Sequence, residues 1–287
     1  MSLEKPTYVL TITCPDAMGI VAAVAGFLAD RGCFITESSH FGDVTTGRFF
    51  MRTVFQAGAG DPLDGPFTDD FAAIAGRFSM EWRLHDAQRR QRVLIMVSKL
   101  DHCLNDLLYR HRVGALKMDV AGVVSNHPDL AGLVAWRDIP FHHLPVTRDS
   151  KAAQEEKLID LVEAENVEFV ILARYMQIFS PALCRRLAGR AINIHHSFLP
   201  SFKGARPYHQ AHVRGVKIIG ATAHYVTEDL DEGPIIDQAV ERVDHTHTPE
   251  ELVAVGRDLE SLVLARAVRA HLEHRVLLNG VKTVVFR

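Results

Sequence analysis

Three residues in this sequence carry types and spacings that could do chemistry together: Asn193, His195 and Asp231. An Asn side-chain N–H can donate to the oxyanion that forms when a nucleophile attacks an acyl carbon. An imidazole can move protons near neutral pH, and a carboxylate beside it can orient the ring, stabilise its charged form and position a water. Asn193 and His195 are two residues apart in AINIHHS, so on a strand they project from one face, with His196 directed to the other. Asp231 stands before Glu232, Gly233 and Pro234, where a tight turn would hold it rigidly. A strand Asn, a loop Asp or a lone His is more often structural than functional. Spacing alone therefore supports an acyl-transfer site as one reading among several.

Such a set needs a strand end to carry it, and the pattern from Val93 supplies one. Short apolar strands are expected at 93–98, 117–125, 167–173, 190–195, 217–227 and 234–243. Amphipathic helices are expected at 101–112, 150–164 and about 249–273, which implies a Rossmann-like, mostly parallel sheet with crossover helices. Open sheets of this kind bind ligands at the carboxyl ends of their strands.

Ahead of it, residues 1–85 read as β-α-β-β-α-β, the ferredoxin-like order. TYVLTIT is the first strand, and Asp16 is the expected cap of a helix bearing Ile20, Val21, Val24, Phe27 and Leu28, which Gly32 ends. Strands at 33–41 and 48–56 follow around a turn at Asp43–Gly47. A helix with Phe67, Phe71, Ile74 and Phe78 on one stripe comes next, then a strand at 79–84. The polar stretch 86–92 reads as a linker, and 93–287 as the second domain.

Composition narrows the classes. With 47% hydrophobic and 23% charged residues, the chain has the profile of a soluble globular protein. A formal net charge of -3 without a basic stripe argues against nucleic acid as a partner. No apolar run approaches the ~20 residues of a membrane span, and the N-terminus lacks a signal-peptide core, so a cytoplasmic location is expected. Cys14, Cys33, Cys103 and Cys184 are scattered among apolar neighbours and read as small buried hydrophobes. The sixteen histidines raise the question of a metal, but no HExxH or Cys/His ligand spacing accompanies them, and no metal is expected.

Longer strings carry a resemblance. NIHHSFLP, KGARPYHQA, GATAHYV and LDEGPI resemble the formyltransferase-type domain of enzymes that use 10-formyltetrahydrofolate, and most closely the formyltetrahydrofolate deformylases. TCPDAMGIVAAVAGFLADRG and TGRFFMR are similar to the ACT domain that deformylases carry ahead of the catalytic domain. The resemblance implies that Asn193, His195 and Asp231 are catalytic and that 10-formyltetrahydrofolate is the substrate, with no prosthetic group. It also implies a folate pocket walled by Met176, Gln177, Ile178 and Phe179 and by Thr227, Glu228, Asp229 and Leu230. Relatives often have Arg where this chain has Gln177, which is tolerable if backbone groups read the pterin edge. Lys203 and Arg206 could pair with the folate's carboxylates, or form an ordinary solvated basic loop.

Relatives that formylate a phosphorylated amine need a phosphate cradle after the first strand, usually glycine-rich. Met96–Leu108 has no glycine, and Asp101 at the expected helix start would repel an anion. The stretch beyond Asp231 is too short for the extra domain of enzymes that formylate initiator tRNA. Water is then the expected acceptor, giving formate and tetrahydrofolate. A folate or amino-acid sensor without turnover, or a transferase to an unphosphorylated amine, are the alternatives. For the N-terminal module the resemblance implies an amino-acid effector such as glycine or methionine near Asp16, Gly19 and Ile20, and pairing of ACT domains into a homo-oligomer.

Overall fold

A computed structural model describes residues 6–58, 62–63, 65–199 and 207–287. The chain divides into two compact units: residues 1–89 with Glu273–Asn279 and Val284–Arg287, and residues 90–272 with 280–283.

The first unit contains β1 (Thr7–Pro15), α1 (Ile20–Asp30), β2 (Phe34–Asp43), β3 (Arg48–Gln56), α2 (Gly65–Arg77) and β4 (Glu81–Asp86). The element order is the expected one, and the antiparallel sheet runs β2-β3-β1-β4. Apolar positions alternate along β1, so Tyr8, Leu10 and Ile12 meet Val24, Leu28 and Phe71 of the two helices in one core. Asp16 does not cap α1. Gly19 occupies that position at φ 92 and has no side chain to cap with. A left-handed entry residue suits glycine, and Asp16 lies three residues too early to reach the first turn. The last strand runs to Asp86 and the next begins at Gln91, so the expected linker 86–92 shrinks to four residues.

The second unit contains β5 (Gln91–Val97), α3 (His102–Arg112), β6 (Met118–Ser125), α4 (Ala131–Ala135), β7 (Phe141–His143), α5 (Lys151–Ala164), β8 (Phe169–Leu172), α6 (Pro181–Arg186), β9 (Ala191–His195), α7 (Pro207–Arg214), β10 (Ile218–Tyr225), β11 (Ile235–Arg242) and α8 (Pro249–Leu272). Its sheet runs β11-β10-β9-β8-β5-β6-β7; β9 through β7 are parallel, while β10 and β11 are antiparallel. Val93–Val97 are all buried, as expected of a strand covered on both faces. Leu94, Met96, Val170, Leu172 and Ala191 pack with α5 and α6 on one face, while α3 and α8 cover the other. Sheet order reverses between β5 and β8, which places a ligand crevice at their carboxyl ends.

α8 starts on a reciprocal cap: Thr248 N–H donates to Glu251 Oε2 at 2.7 Å, and Glu251 N–H donates to Thr248 Oγ1 at 3.2 Å. After α8 come β12 (Val276–Asn279) and β13 (Lys282–Val285). Leu277 and Phe286 pack on Phe50 of the first unit, and Asn279 Nδ2 donates to Asp43 Oδ2 at 2.7 Å. Of the cysteines, Cys14, Cys103 and Cys184 are buried and Cys33 is half-buried. Among the described residues, no helix is long and apolar enough to cross a membrane.

Candidate active site

Ala191, Asn193 and His195 share one face of β9 because side chains alternate along a strand. Ala191 packs with α5 and α6, so the other two point to that face as well. β10 pairs antiparallel with β9 and sets His224 directly opposite Asn193. After Tyr225 the chain leaves the sheet, and Tyr225 N–H donates to the Pro234 carbonyl at 3.0 Å as the loop returns. Gly233 makes this return possible: a Cβ there would come within 1.8 Å of the Tyr225 carbonyl oxygen. Asp231 sits inside the loop at φ 60, a conformation non-glycine residues seldom adopt without a compensating role.

The loop delivers Asp231 to the imidazoles. Its Oδ1 lies 3.2 Å from His195 Nδ1 and 3.8 Å from His224 Nε2. Burial pushes the Asp231 carboxyl up, but the His195 hydrogen bond and the nearby imidazoles outweigh it and hold the group below the ordinary aspartate range. Facing a carboxylate, His195 Nδ1 carries a hydrogen, and the neutral ring keeps its lone pair on Nε2. That Nε2 is buried and makes no hydrogen bond among the described residues.

His224 was not singled out from the sequence. It is 3% exposed, and its Nδ1 donates to the Tyr225 carbonyl at 2.9 Å. Its Nε2 therefore accepts from Asn193 Nδ2, at 3.3 Å. Burial lowers its pKa, opposed by the carbonyl bond and by Asp231, so the ring stays neutral and an acceptor. This fixes the Asn193 amide with one N–H spent on His224 and the other without a partner among the described residues. Only the pairing of β10 with β9 reveals the contact, although GATAHYV contains the residue.

His196 lies past the strand end. It turns to Arg174, whose Nη1 donates to His196 Nδ1 at 2.8 Å, and so takes a different partner from His195. Alternation stops with the strand, however, and the two rings stack with centroids 4.8 Å apart at 22° instead of facing opposite ways.

The sequence of the second unit matches the model of the formyl transferase family over residues 91–268. Formyltetrahydrofolate deformylase of Corynebacterium sp. strain P-1 is 50% identical over 284 residues, 99% of each chain. The chain belongs to the formyltetrahydrofolate deformylase family. The crystal structure of the Burkholderia mallei ATCC 23344 deformylase superposes with a TM-score of 0.93 at 58% identity, covering 98% of this chain and 100% of that one. Glycinamide ribonucleotide transformylase 1 from Symbiobacterium toebii matches less completely, with a TM-score of 0.64 at 30% identity over 69% of this chain and 95% of that one. The deformylase likeness thus spans both units.

Of the segments that the family resemblance assigns to folate, 176–179 follows the carboxyl end of β8, whereas 227–230 follows β10, beyond Val226, whose N–H donates to the Ala191 carbonyl at the start of β9 at 2.9 Å. Met176 N–H donates to Ser98 Oγ at 2.9 Å, tying the segment after β8 to the end of β5. Met176 and Ile178 are exposed at 56% and 59%, which removes core packing as their role; Phe179 is buried. Gln177, Ile178 and Phe179 line a cleft with Leu144, Val146 and Tyr175. Thr227 Oγ1 donates to the Asp229 carbonyl at 3.0 Å, Glu228 pairs with Arg185 at 2.9 Å, and Leu230 is 54% exposed. None of Thr227–Leu230 lines that cleft. Lys203 and Arg206 lie outside the described residues. In the first unit Asp16 and Gly19 are exposed, whereas the Ile20 side chain is 1% exposed and leaves only its backbone to meet a ligand.

Proposed function

We propose that this chain hydrolyses 10-formyltetrahydrofolate to formate and tetrahydrofolate, with Asn193, His195 and Asp231 doing the chemistry. It is an enzyme of the hydrolase class, acts on a one-carbon folate and calls for no prosthetic group. The buried Nε2 of His195 carries the reading, since it is the basic atom the site leaves open beside a fixed amide and a carboxylate. Water held at His195 Nε2 attacks the formyl carbon while Nε2 takes its proton, with Asp231 orienting the ring through Nδ1. The carbonyl oxygen becomes an oxyanion and receives the free Asn193 N–H, a type of donor worth about 2.7–4 kcal/mol of barrier. Asp231 stabilises the imidazolium. The proton then passes from Nε2 to the leaving nitrogen as the oxyanion re-forms the carbonyl and the C–N bond breaks, so the ring ends neutral and the formic acid gives its remaining proton to solvent as formate.

Met176–Phe179 and Thr227–Leu230 hold the folate in this reading, the first through backbone groups anchored on Ser98. Lys203 and Arg206 take its carboxylates. Residues 1–85 form the ferredoxin-like ACT module, which binds an amino acid such as glycine or methionine at Asp16, Gly19 and the Ile20 backbone and pairs copies into a homo-oligomer. The domain from residue 93 onward is catalytic. Formate release from 10-formyltetrahydrofolate in buffer without any amine is the expected outcome. Turnover only when an amine is supplied, or binding without turnover, would overturn the reading.

A further inference from the structure

Behind His195 lies a second polar cluster that the proposed chemistry does not touch. Glu260 of α8 is 1% exposed. Its Oε1 accepts from Tyr208 OH and its Oε2 from His102 Nε2, each at 2.8 Å. Arg174 Nε lies 3.2 Å from Oε2, an ion pair out of line for a hydrogen bond. Three elements of low sequence contrast converge here, and one glycine makes room: a Cβ at Gly256, one turn before Glu260, would fall 2.1 Å from the Tyr208 ring. His102, Cys103 and Glu260 are grouped closely enough for a metal. Glu260 is already saturated by Tyr208, His102 and Arg174, which favours a closed network over a cation site.

The cluster points back at the active site through Arg174. Arg174 adopts φ 66, a costly conformation for a non-glycine residue, immediately after β8. Its guanidinium can only donate, so its bond to His196 Nδ1 fixes that ring with the hydrogen on Nε2. The ring so fixed lies flat against His195.

We propose that Arg174 and Glu260 are positioning residues: Glu260 holds Arg174, Arg174 holds His196, and the His196 ring is the wall that sets the orientation of His195. The inference rests on His195 being the base. Arg174, His195, Glu260, Asp231 and Tyr208 are the titratable or charged groups that face His196. Burial, Arg174 and His195 together bring its pKa down to about 4. His196 then remains neutral while His195 gains and loses its proton, and the two rings do not compete for charge. Glu260 matters for the same reason. Burial pushes its carboxyl up, but the His102 bond, Arg174 and the Tyr208 bond bring it below the ordinary range. The resulting carboxylate cancels the Arg174 charge that would otherwise oppose a His195 imidazolium.

The test uses the full chain. For Glu260→Gln, kcat should fall about tenfold, with KM for 10-formyltetrahydrofolate within about twofold, since misplacing a catalytic group costs rate before it costs affinity. The kcat–pH profile should move toward acid by roughly half a unit or more, because Arg174 is left uncompensated. Arg174→Met should move it the opposite way, and Arg174→Lys should recover part of the rate. Rate losses with wild-type profiles would mean a merely structural role and would overturn the proposal, as would unchanged rates. A reading independent of variant folding comes from the wild-type protein labelled with nitrogen-15 histidine. His196 should show a bare Nδ1 and a protonated Nε2 at pH 7, and a protonated Nδ1 would refute the arrangement. Absence of any wild-type hydrolysis would instead count against the proposed function itself.

Discussion

Two carboxylates of the second unit stand beside histidines, Glu260 buried and Asp231 half-buried, and they are finished differently. Around Glu260 both oxygens are occupied, by Tyr208, His102 and Arg174. Around Asp231 one oxygen reaches His195 Nδ1, with the His224 Nε2 acceptor farther off at 3.8 Å, and the far nitrogen of His195 is left unbonded among the described residues. An unpaired buried polar atom is costly, typically about 1–3 kcal/mol, and at His195 Nε2 a bound reactant would offset that cost. In the proposed function the Glu260 cluster is scaffolding, although Arg174 Nε stays unbonded, and the Asp231 cluster receives the reactant. Backbone strain marks both, at Arg174 and Asp231, each a non-glycine residue with positive φ that carries one charge into place.

The contrast can be broken first at the histidines, whose rings touch but whose partners differ. His195→Ala should reduce turnover by about 10²–10⁴-fold, the range for a positioned acid–base group. His196→Ala removes only a wall and should cost about tenfold, within what a small misplacement of a catalytic group produces. Steady-state kinetics on both variants checks this, and equal losses would place proton transfer on the pair and not on His195.

A smaller effect separates the clusters by pH. His196 titrates at about 4 when folded, and burial likewise lowers His224. Both are neutral in the native protein and bind protons in the unfolded chain below about pH 6.5. Their depressed values contribute stability that is present above that pH and lost as pH falls toward 4. His85 in the first unit, also held at about 4 by burial, Arg83 and Arg89, acts in the same direction. Urea denaturation should therefore show stability declining below pH 6.5, by up to about 1.4 kcal/mol per pH unit for each such histidine. His196→Gln should flatten the slope, and an unchanged slope would show that His196 is not held neutral.

The open cluster was far more legible in the sequence than the closed one. Asn193, His195 and Asp231 lie in short strings that carry the family resemblance, and period-2 alternation puts the first two on one face, although spacing alone leaves acyl transfer one reading among several. His224 could not be seen, because its partner is chosen by the antiparallel register of β10 against β9. Glu260 sits in DLESLVLARAV, where it reads as one more polar position on a helix, and Arg174 gains meaning only once β8 ends beside β9 and α8. Short helices such as α4 and α6 were also hidden, since five or six residues carry less than two turns of periodicity. The grouping of Glu273–Asn279 with the first unit has no local signal, because it rests on contacts such as Asn279 with Asp43, 236 residues apart.

In the proposed function water, activated at His195 beside Asp231, is the acceptor of the formyl group. Hydrolysis in oxygen-18 water without amine, followed by mass analysis of the formate, tests it most directly when wild type and Asp231→Asn are run together. Each formate from the wild type should carry one solvent oxygen. A folded Asp231→Asn should lose at least ~10²-fold in rate. Unlabelled formate, or an Asp231→Asn enzyme that turns over like the wild type, would contradict it.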